Sequence, residues 1–209
     1  EWSVGNSMST AQHIKWFSDC TMDDVDAVGG KGASLGEMYR ALHKRGVLIP
    51  NGFSVTVEAY HQFVDTPVSK GAWGGVAEVE DVPGLREEVV TQPTLRAALN
   101  ACFTDADHED HLEMHSRTAL VRALIVQSDV PSSISEVIEE GYQQLCEEYG
   151  HGVDVAVRSS ATVEDSVEAS FAGQYESFLN IQGAENVVMY WKYCVASLFT
   201  ERAVIYQLD

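Results

Sequence analysis

Two basic residues in this chain stand where they could hold an anion. Lys31 lies in Gly29-Gly30-Lys31-Gly32, at the opening of a stretch with helical spacing. Glycines let backbone N–H groups approach an anion closely, and a helix N-terminus presents partial positive charge. A single Lys adds a point charge suited to phosphate. The loop is not of the Walker A type, which would need Gly in place of Val25 and Ser or Thr in place of Gly32. The same residues also suit a flexible turn with a solvated Lys. Arg158 ends a run of alternating Val and is followed by Ser159, Ser160 and Thr162. A guanidinium there either holds a carboxylate or phosphate bidentately or pairs with Glu164 or Asp165. Further on, Phe171-Ala172-Gly173-Gln174 has the composition of a small loop that can fold over a ligand.

Other chemistries find less support. His108, His111 and His115 share one face if the acidic stretch around them is helical, and zinc could then add Glu109 or Asp110. The run His-Leu-Glu-Met-His is not H-E-x-x-H, because Glu113 is misplaced for a general base, and a solvated polar face explains the pattern. No G-x-S-x-G occurs, and His13, His43, His61 and His151 have no Ser or Cys in a nucleophile frame.

The elements that must position these residues follow from periodicity. Leu35, Met38, Tyr39 and Leu42 recur at helical spacing, with Ser34 capping or opening the turn and Lys44-Arg45-Gly46 closing it. Pro50-Asn51-Gly52 predicts a turn, then Phe53, Val55 and Val57 alternate as a strand, and Thr56 is placed to cap a helix through Phe63. Residues 65–84 are Gly-rich without a period and read as a loop or mobile insertion. Residues 85–127 read as helical, broken at Pro93 and across 104–110. From Pro131 to Glu148 a helix buries Ile134, Val137, Ile138, Gly141, Tyr142 and Leu145. Strand-like runs at 153–158 and 174–181 flank the Arg158 loop. A helix from Ala184 then carries Val187, Val188, Trp191, Cys194, Val195, Leu198 and Phe199 on one stripe, and 200–207 adds a short helix. Interspersed strands and helices predict an α+β or α/β class.

Bulk composition narrows the partners. The 209 residues carry 13 Lys and Arg against 32 Asp and Glu, a formal charge of −19. Residues 101–209 hold 5 basic and 19 acidic groups, so the excess is concentrated there. Such a surface disfavours nucleic acid and anionic membrane, while leaving room for a small phosphate ligand gripped by a few donors. Four scattered Cys without a C-x-x-C pair suggest reduced cytosolic thiols. No apolar run approaches the roughly 18 residues of a spanning helix. Residues 1–7 read as a remnant of expression, with Met8 as the natural start.

Four passages in order, VGGKGASLGEM, VLIPNGFSVTVEAY, VAVRSSATVEDSVEASFAGQYESFLNI and SLFTERAVIY, resemble the N-terminal nucleotide-binding region of the phosphoenolpyruvate synthase and pyruvate phosphate dikinase family. Rifampicin phosphotransferase is a relative. The likeness is greatest to the phosphoenolpyruvate synthase branch, covers about 21–64 and 153–207 well, and is weak over 65–130.

The resemblance implies an α+β fold, the first half of an ATP-grasp-type nucleotide-binding domain with a helical insertion. Its parts would be 8–64, with the Gly-Gly-Lys loop, and 150–209, with the Val-Arg-Ser-Ser and Phe-Ala-Gly-Gln loops. Residues 65–149 would be loop and insertion. It implies ATP phosphates at Lys31 and Arg158, Gly173 closing over the nucleotide, and Ser177 lining the site. It also implies Mg2+ held by carboxylates beyond Asp209, and a phosphorylated carrier His and pyruvate-binding barrel likewise outside this chain. The expected activity of such a protein is cytoplasmic, gluconeogenic transfer from ATP to the His and then pyruvate, giving phosphoenolpyruvate, AMP and phosphate. This chain alone is expected to be inactive. Alternatives are a relative with another acceptor, such as an antibiotic, or a non-catalytic nucleotide-binding module.

Overall fold

A computed structural model describes residues 13–68, 71–74, 76, 82–160 and 176–208, with side chains as far as 204. Strand β1 (Ile14–Trp16) leads through two short 3-10 turns into helix α1 (Val25–His43). Strand β2 (Phe53–Val55) and helices α2 (Val57–Asp65), α3 (Leu85–Val89), α4 (Leu95–Phe103), α5 (His111–Gln127) and α6 (Ser132–Tyr149) follow. Strands β3 (Val155–Arg158) and β4 (Ser177–Ile181) and helices α7 (Ala184–Ser197) and α8 (Glu201–Leu208) complete the described chain. The class is a mixture of helices with two small antiparallel sheets, β1–β2 and β3–β4.

Local chemistry sets most helix starts. Thr56 accepts a hydrogen bond from the Ala59 N–H, and Thr94 does the same for Ala97. Asp110 accepts from Leu112 and Glu113, which starts α5 at His111 and leaves His108 in the preceding turn. The side-chain oxygens thus take up first-turn donors that the helices cannot satisfy themselves. His111 and His115 therefore share a helix face without His108. Both face Glu201 of α8, at 3.0 and 3.6 Å from its carboxylate oxygens.

The main core lies among α2, α4, α5, α6 and α7. All six residues of the α6 stripe are buried, as the spacing predicts. Phe63 of α2 meets Trp191 of α7 with ring centroids 5.4 Å apart. In the Gly-rich stretch, Trp73 is only 1% exposed and donates its indole N–H to Ser128 at 3.0 Å. Trp73 is thus held in the core, within a stretch whose composition predicted a loop or mobile insertion; residues 69–70, 75 and 77–81 of that stretch lie outside the described residues. An aromatic of this size carries enough apolar area to dock the backbone around it.

Helix α1 departs from its expected face. Met38 is 46% exposed, whereas Val28, Gly32, Ala33, Gly36 and Tyr39 are buried. A Cβ at Gly36 would come within 2.3 Å of the Cys20 Cβ. The helix thus seats its smallest residues against the turn after β1, and a Leu or Met side chain has no room there. Ser34 lies inside this helix rather than capping it.

Candidate functional site

Helix α1 carries a break four residues from its start. Gly29 has φ +73° and ψ 164°, so a short turn from Val25 ends there and a second helical segment begins at Gly30. Only Gly adopts this region readily. Position 29 has a second constraint, since a Cβ there would lie 2.3 Å from the Ser160 carbonyl oxygen and 2.5 Å from its Oγ. The break puts Lys31 in the first turn of the second segment, half-buried, with its Nζ donating to the Ser159 carbonyl at 3.1 Å.

Strand β3 brings the other half of the site. Tyr142 of α6 donates its hydroxyl to the Val153 carbonyl at 3.0 Å and accepts from the Gly183 N–H at 2.9 Å. One side chain thereby ties α6 to the approaches of both β3 and α7. Val155 and Val157 pack toward the core, while Ala156 and Arg158 face outward. The strand is half-buried, one face toward the core and the other toward solvent. Arg158 pairs in register with Ser177 of β4, and both are exposed. Residues directly opposite in an antiparallel pair share a face.

Beyond Arg158 the chain crosses to the Gly-Gly-Lys turn. Ser160 Oγ accepts from the Gly32 N–H at 2.9 Å and donates to the Val28 carbonyl at 2.8 Å. The adjacent Ser159 is 6% exposed, and its Oγ finds no hydrogen-bond partner among the described residues. Two motifs more than a hundred residues apart are therefore stitched together by hydrogen bonds, three of them among the described residues. Lys31, Arg158 and Ser177 fall at one end of β3–β4. Gly173 and the proposed ion-pair partners Glu164 and Asp165 lie outside the described residues. No described residue accepts a hydrogen bond from the Arg158 guanidinium.

The site brings together the Lys31 ammonium, the exposed Arg158 guanidinium and the hydroxyls of Ser159 and Ser177. Cys194 of α7 lies beneath it, within electrostatic reach of Glu176 and Lys31. Burial pushes this thiol up to about 12, Glu176 adds to the rise, and Lys31 opposes it. Such a thiol is inert at neutral pH and is a packing residue here. Alongside, a groove of about 1210 Å³ runs between α5, α7 and α8, with Glu176, Tyr193 and Arg122 on its walls. Among the described residues, no cluster of three His, Cys, Asp or Glu has the geometry to hold a metal ion. None of the described helices is long and apolar enough to cross a membrane.

The role of Ser160 is not evident in the sequence, where it is one hydroxyl among several. A signal does exist in retrospect, because a helix broken at Gly has no side chain of its own for a cap and must find one elsewhere.

The family profile described as pyruvate phosphate dikinase, AMP/ATP-binding domain, matches residues 25–209. The chain is 42% identical over 195 residues to the phosphoenolpyruvate synthase of Aquifex aeolicus, covering 93% of this chain and 20% of that protein. It is 40% identical over 210 residues to that of Pyrococcus furiosus, covering 93% and 24%. It is 39% identical over 199 residues to that of Synechocystis sp., covering 93% and 21%. The chain thus spans a fifth to a quarter of the length of these relatives. With the profile matched along most of its length, and with the Gly-Gly-Lys and Val-Arg-Ser-Ser motifs joined in one site, the chain belongs to the pyruvate phosphate dikinase AMP/ATP-binding domain family.

Proposed function

We propose that this chain is the ATP-binding portion of a phosphoenolpyruvate synthase. The observation that carries the reading is the joining of the two anion-binding motifs, with Lys31 on the Ser159 carbonyl and Gly32 on Ser160. On this reading 8–64 and 150–209 form the first half of an ATP-grasp-type domain, with 65–149 as the insertion. Lys31 neutralises phosphate charge from the helix end, and the Arg158 guanidinium offers two parallel N–H donors from the strand end. Ser177, opposite Arg158, adds a hydroxyl on the same face, and Gly173 closes over the nucleotide.

Phosphoryl transfer depends on positioning and charge neutralisation, and Lys31 and Arg158 supply part of both. Mg2+ would neutralise more of the triphosphate charge. The donors gathered here are ammonium, guanidinium, hydroxyl and amide groups, which suit phosphate and not a cation. On this reading its carboxylate ligands lie outside this chain. In the whole protein ATP would transfer its terminal diphosphate to a carrier His with release of AMP, water would take the outer phosphoryl group as free phosphate, and the phosphoryl group left on the His would pass to pyruvate. The products are phosphoenolpyruvate, AMP and phosphate, the setting is cytoplasmic, and the pathway direction is gluconeogenic.

The test is Mg·ATP binding to this chain by titration calorimetry, for the wild type and for R158K. The substitution keeps the charge and removes the fork. Affinity is expected to fall about tenfold with the melting temperature within about 1 °C, since Arg158 is exposed. A lowered melting temperature with unchanged affinity would make Arg158 structural and sink the assignment.

A further inference from the structure

We infer that Ser160 is a positioning residue of this site, whose hydroxyl caps the Lys31 helix from across the fold. The inference rests on the nucleotide-binding reading above. When a helix begins, its first N–H groups have no partner within it, and a Ser, Thr, Asp or Asn at the preceding position ordinarily accepts from one of them. Here that position is Gly29, which has no side chain. Gly32 stands third in the new segment, where a capping oxygen usually binds, and its N–H is taken by Ser160 Oγ at 2.9 Å. The same hydroxyl donates its only proton to the Val28 carbonyl at 2.8 Å, on the other side of the break. Ser160 therefore holds both lips of the break at once, using its donor and one acceptor site.

Geometry makes the arrangement exclusive. The Ser160 carbonyl and hydroxyl fill the space a side chain at position 29 would need, so the cap from a distance and the glycine require each other. The adjoining Ser159 carbonyl receives the Lys31 ammonium at 3.1 Å, and Arg158 is two residues upstream of the cap. Residues 158–160 thus set the separation between the guanidinium and the ammonium. Without the hydroxyl, the break is free to open, and Lys31 loses its fixed distance from Arg158. A site that grips a triphosphate from two elements depends on that distance being set before the ligand arrives.

The test uses the 15N-labelled chain and two readouts. The first is hydrogen exchange of the Gly32 amide, expected to accelerate about tenfold or more in S160A. The second is the Mg·ATP dissociation constant of the wild type, S160A, K31A and the double variant. S160A alone is expected to weaken binding about tenfold. In the K31A background it should cost less than about twofold further, because the hydroxyl acts through the placement of Lys31. S160T keeps the hydroxyl and should hold both readouts near wild type, and it carries the test if S160A does not fold. Faster Gly32 exchange with unchanged ATP affinity, equal losses by S160A in both backgrounds, or an S160T variant as impaired as S160A would each overturn the positioning role. A wild-type chain with no affinity for Mg·ATP, whatever Gly32 exchange shows, would overturn the nucleotide reading and the role built on it.

Discussion

Replacing Gly29 with Ala should be among the most costly single-methyl additions in this molecule. Two terms contribute. The backbone at φ +73° and ψ 164° lies in a region that side chains avoid, at a cost of about 1–3 kcal/mol. The added Cβ would also stand 2.3 Å from the Ser160 carbonyl oxygen, 2.5 Å from its Oγ and 2.7 Å from its carbonyl carbon. Two of these three atoms are backbone, so no rotamer change relieves the contact. Ser160 must withdraw, and its hydrogen bonds with Gly32 and Val28 break, at about 1 kcal/mol each. The total is about 4 kcal/mol, a large part of the roughly 5–15 kcal/mol that stabilises an ordinary domain. Gly46 supplies the control. Its φ is +77°, yet a Cβ there meets nothing within 4 Å, so G46A should lose only about 1–2 kcal/mol from backbone strain. Urea unfolding of both variants, followed by circular dichroism, measures the difference. With a slope of about 2 kcal/mol per molar urea, G29A should move the midpoint down by about 2 M and G46A by less than about 1 M. Equal losses would mean that contact with Ser160 does not constrain position 29, and would refute the packing account of the site.

Two further outcomes are expected. Y142F removes the hydroxyl that joins Val153 and Gly183, and the unpaired carbonyl and N–H should cost about 2 kcal/mol in urea unfolding; a loss under about 0.5 kcal/mol would show that the tie is dispensable. Burial pushes the Cys102 and Cys194 thiols up to about 12 from an ordinary value of 9.0. The unfolded chain therefore sheds these protons first as pH rises. Stability from this source should be intact below about pH 9 and decline toward pH 12, with a slope of up to about 1.4 kcal/mol per pH unit for each thiol. Urea midpoints from pH 8 to 10.5, compared with those of a C102A/C194A variant, check the sign, and a parent whose midpoint falls no faster than that variant's would refute it.

Much of the fold was legible in the sequence because its signals are local. The α6 stripe from Ile134 to Leu145, the Thr56 cap, the break near Pro93 and the strands on either side of the Arg158 loop each depend on residues within a few positions of one another. Side-chain periodicity and capping act over one or two helical turns, so a linear reading captures them. Lys31 and Arg158 were legible as candidates for an anion site for the same reason, since a glycine turn and a strand-end Arg carry their chemistry in their own neighbourhood.

Other features depend on what the folded chain brings alongside. Periodicity grouped Leu35, Met38, Tyr39 and Leu42 on α1, and Tyr39 is buried, but the close approach of Gly36 to Cys20 turns the helix so that Met38 is left in solvent. Composition read the Gly-rich stretch as loop or mobile insertion and gave no sign that Trp73 within it is buried and reaches Ser128. Three His residues shared a face on paper until the Asp110 cap started the helix after His108. The meeting of Lys31 with Ser159, and of Gly32 with Ser160, spans 128 residues of chain. No local propensity encodes such a contact. It exists because α6, through Tyr142, holds the approach to β3 in place, and because Gly29 leaves a volume that Ser160 fills. The types of residue proposed for an anion site are written in the sequence, whereas their distance from one another is a property of the packing.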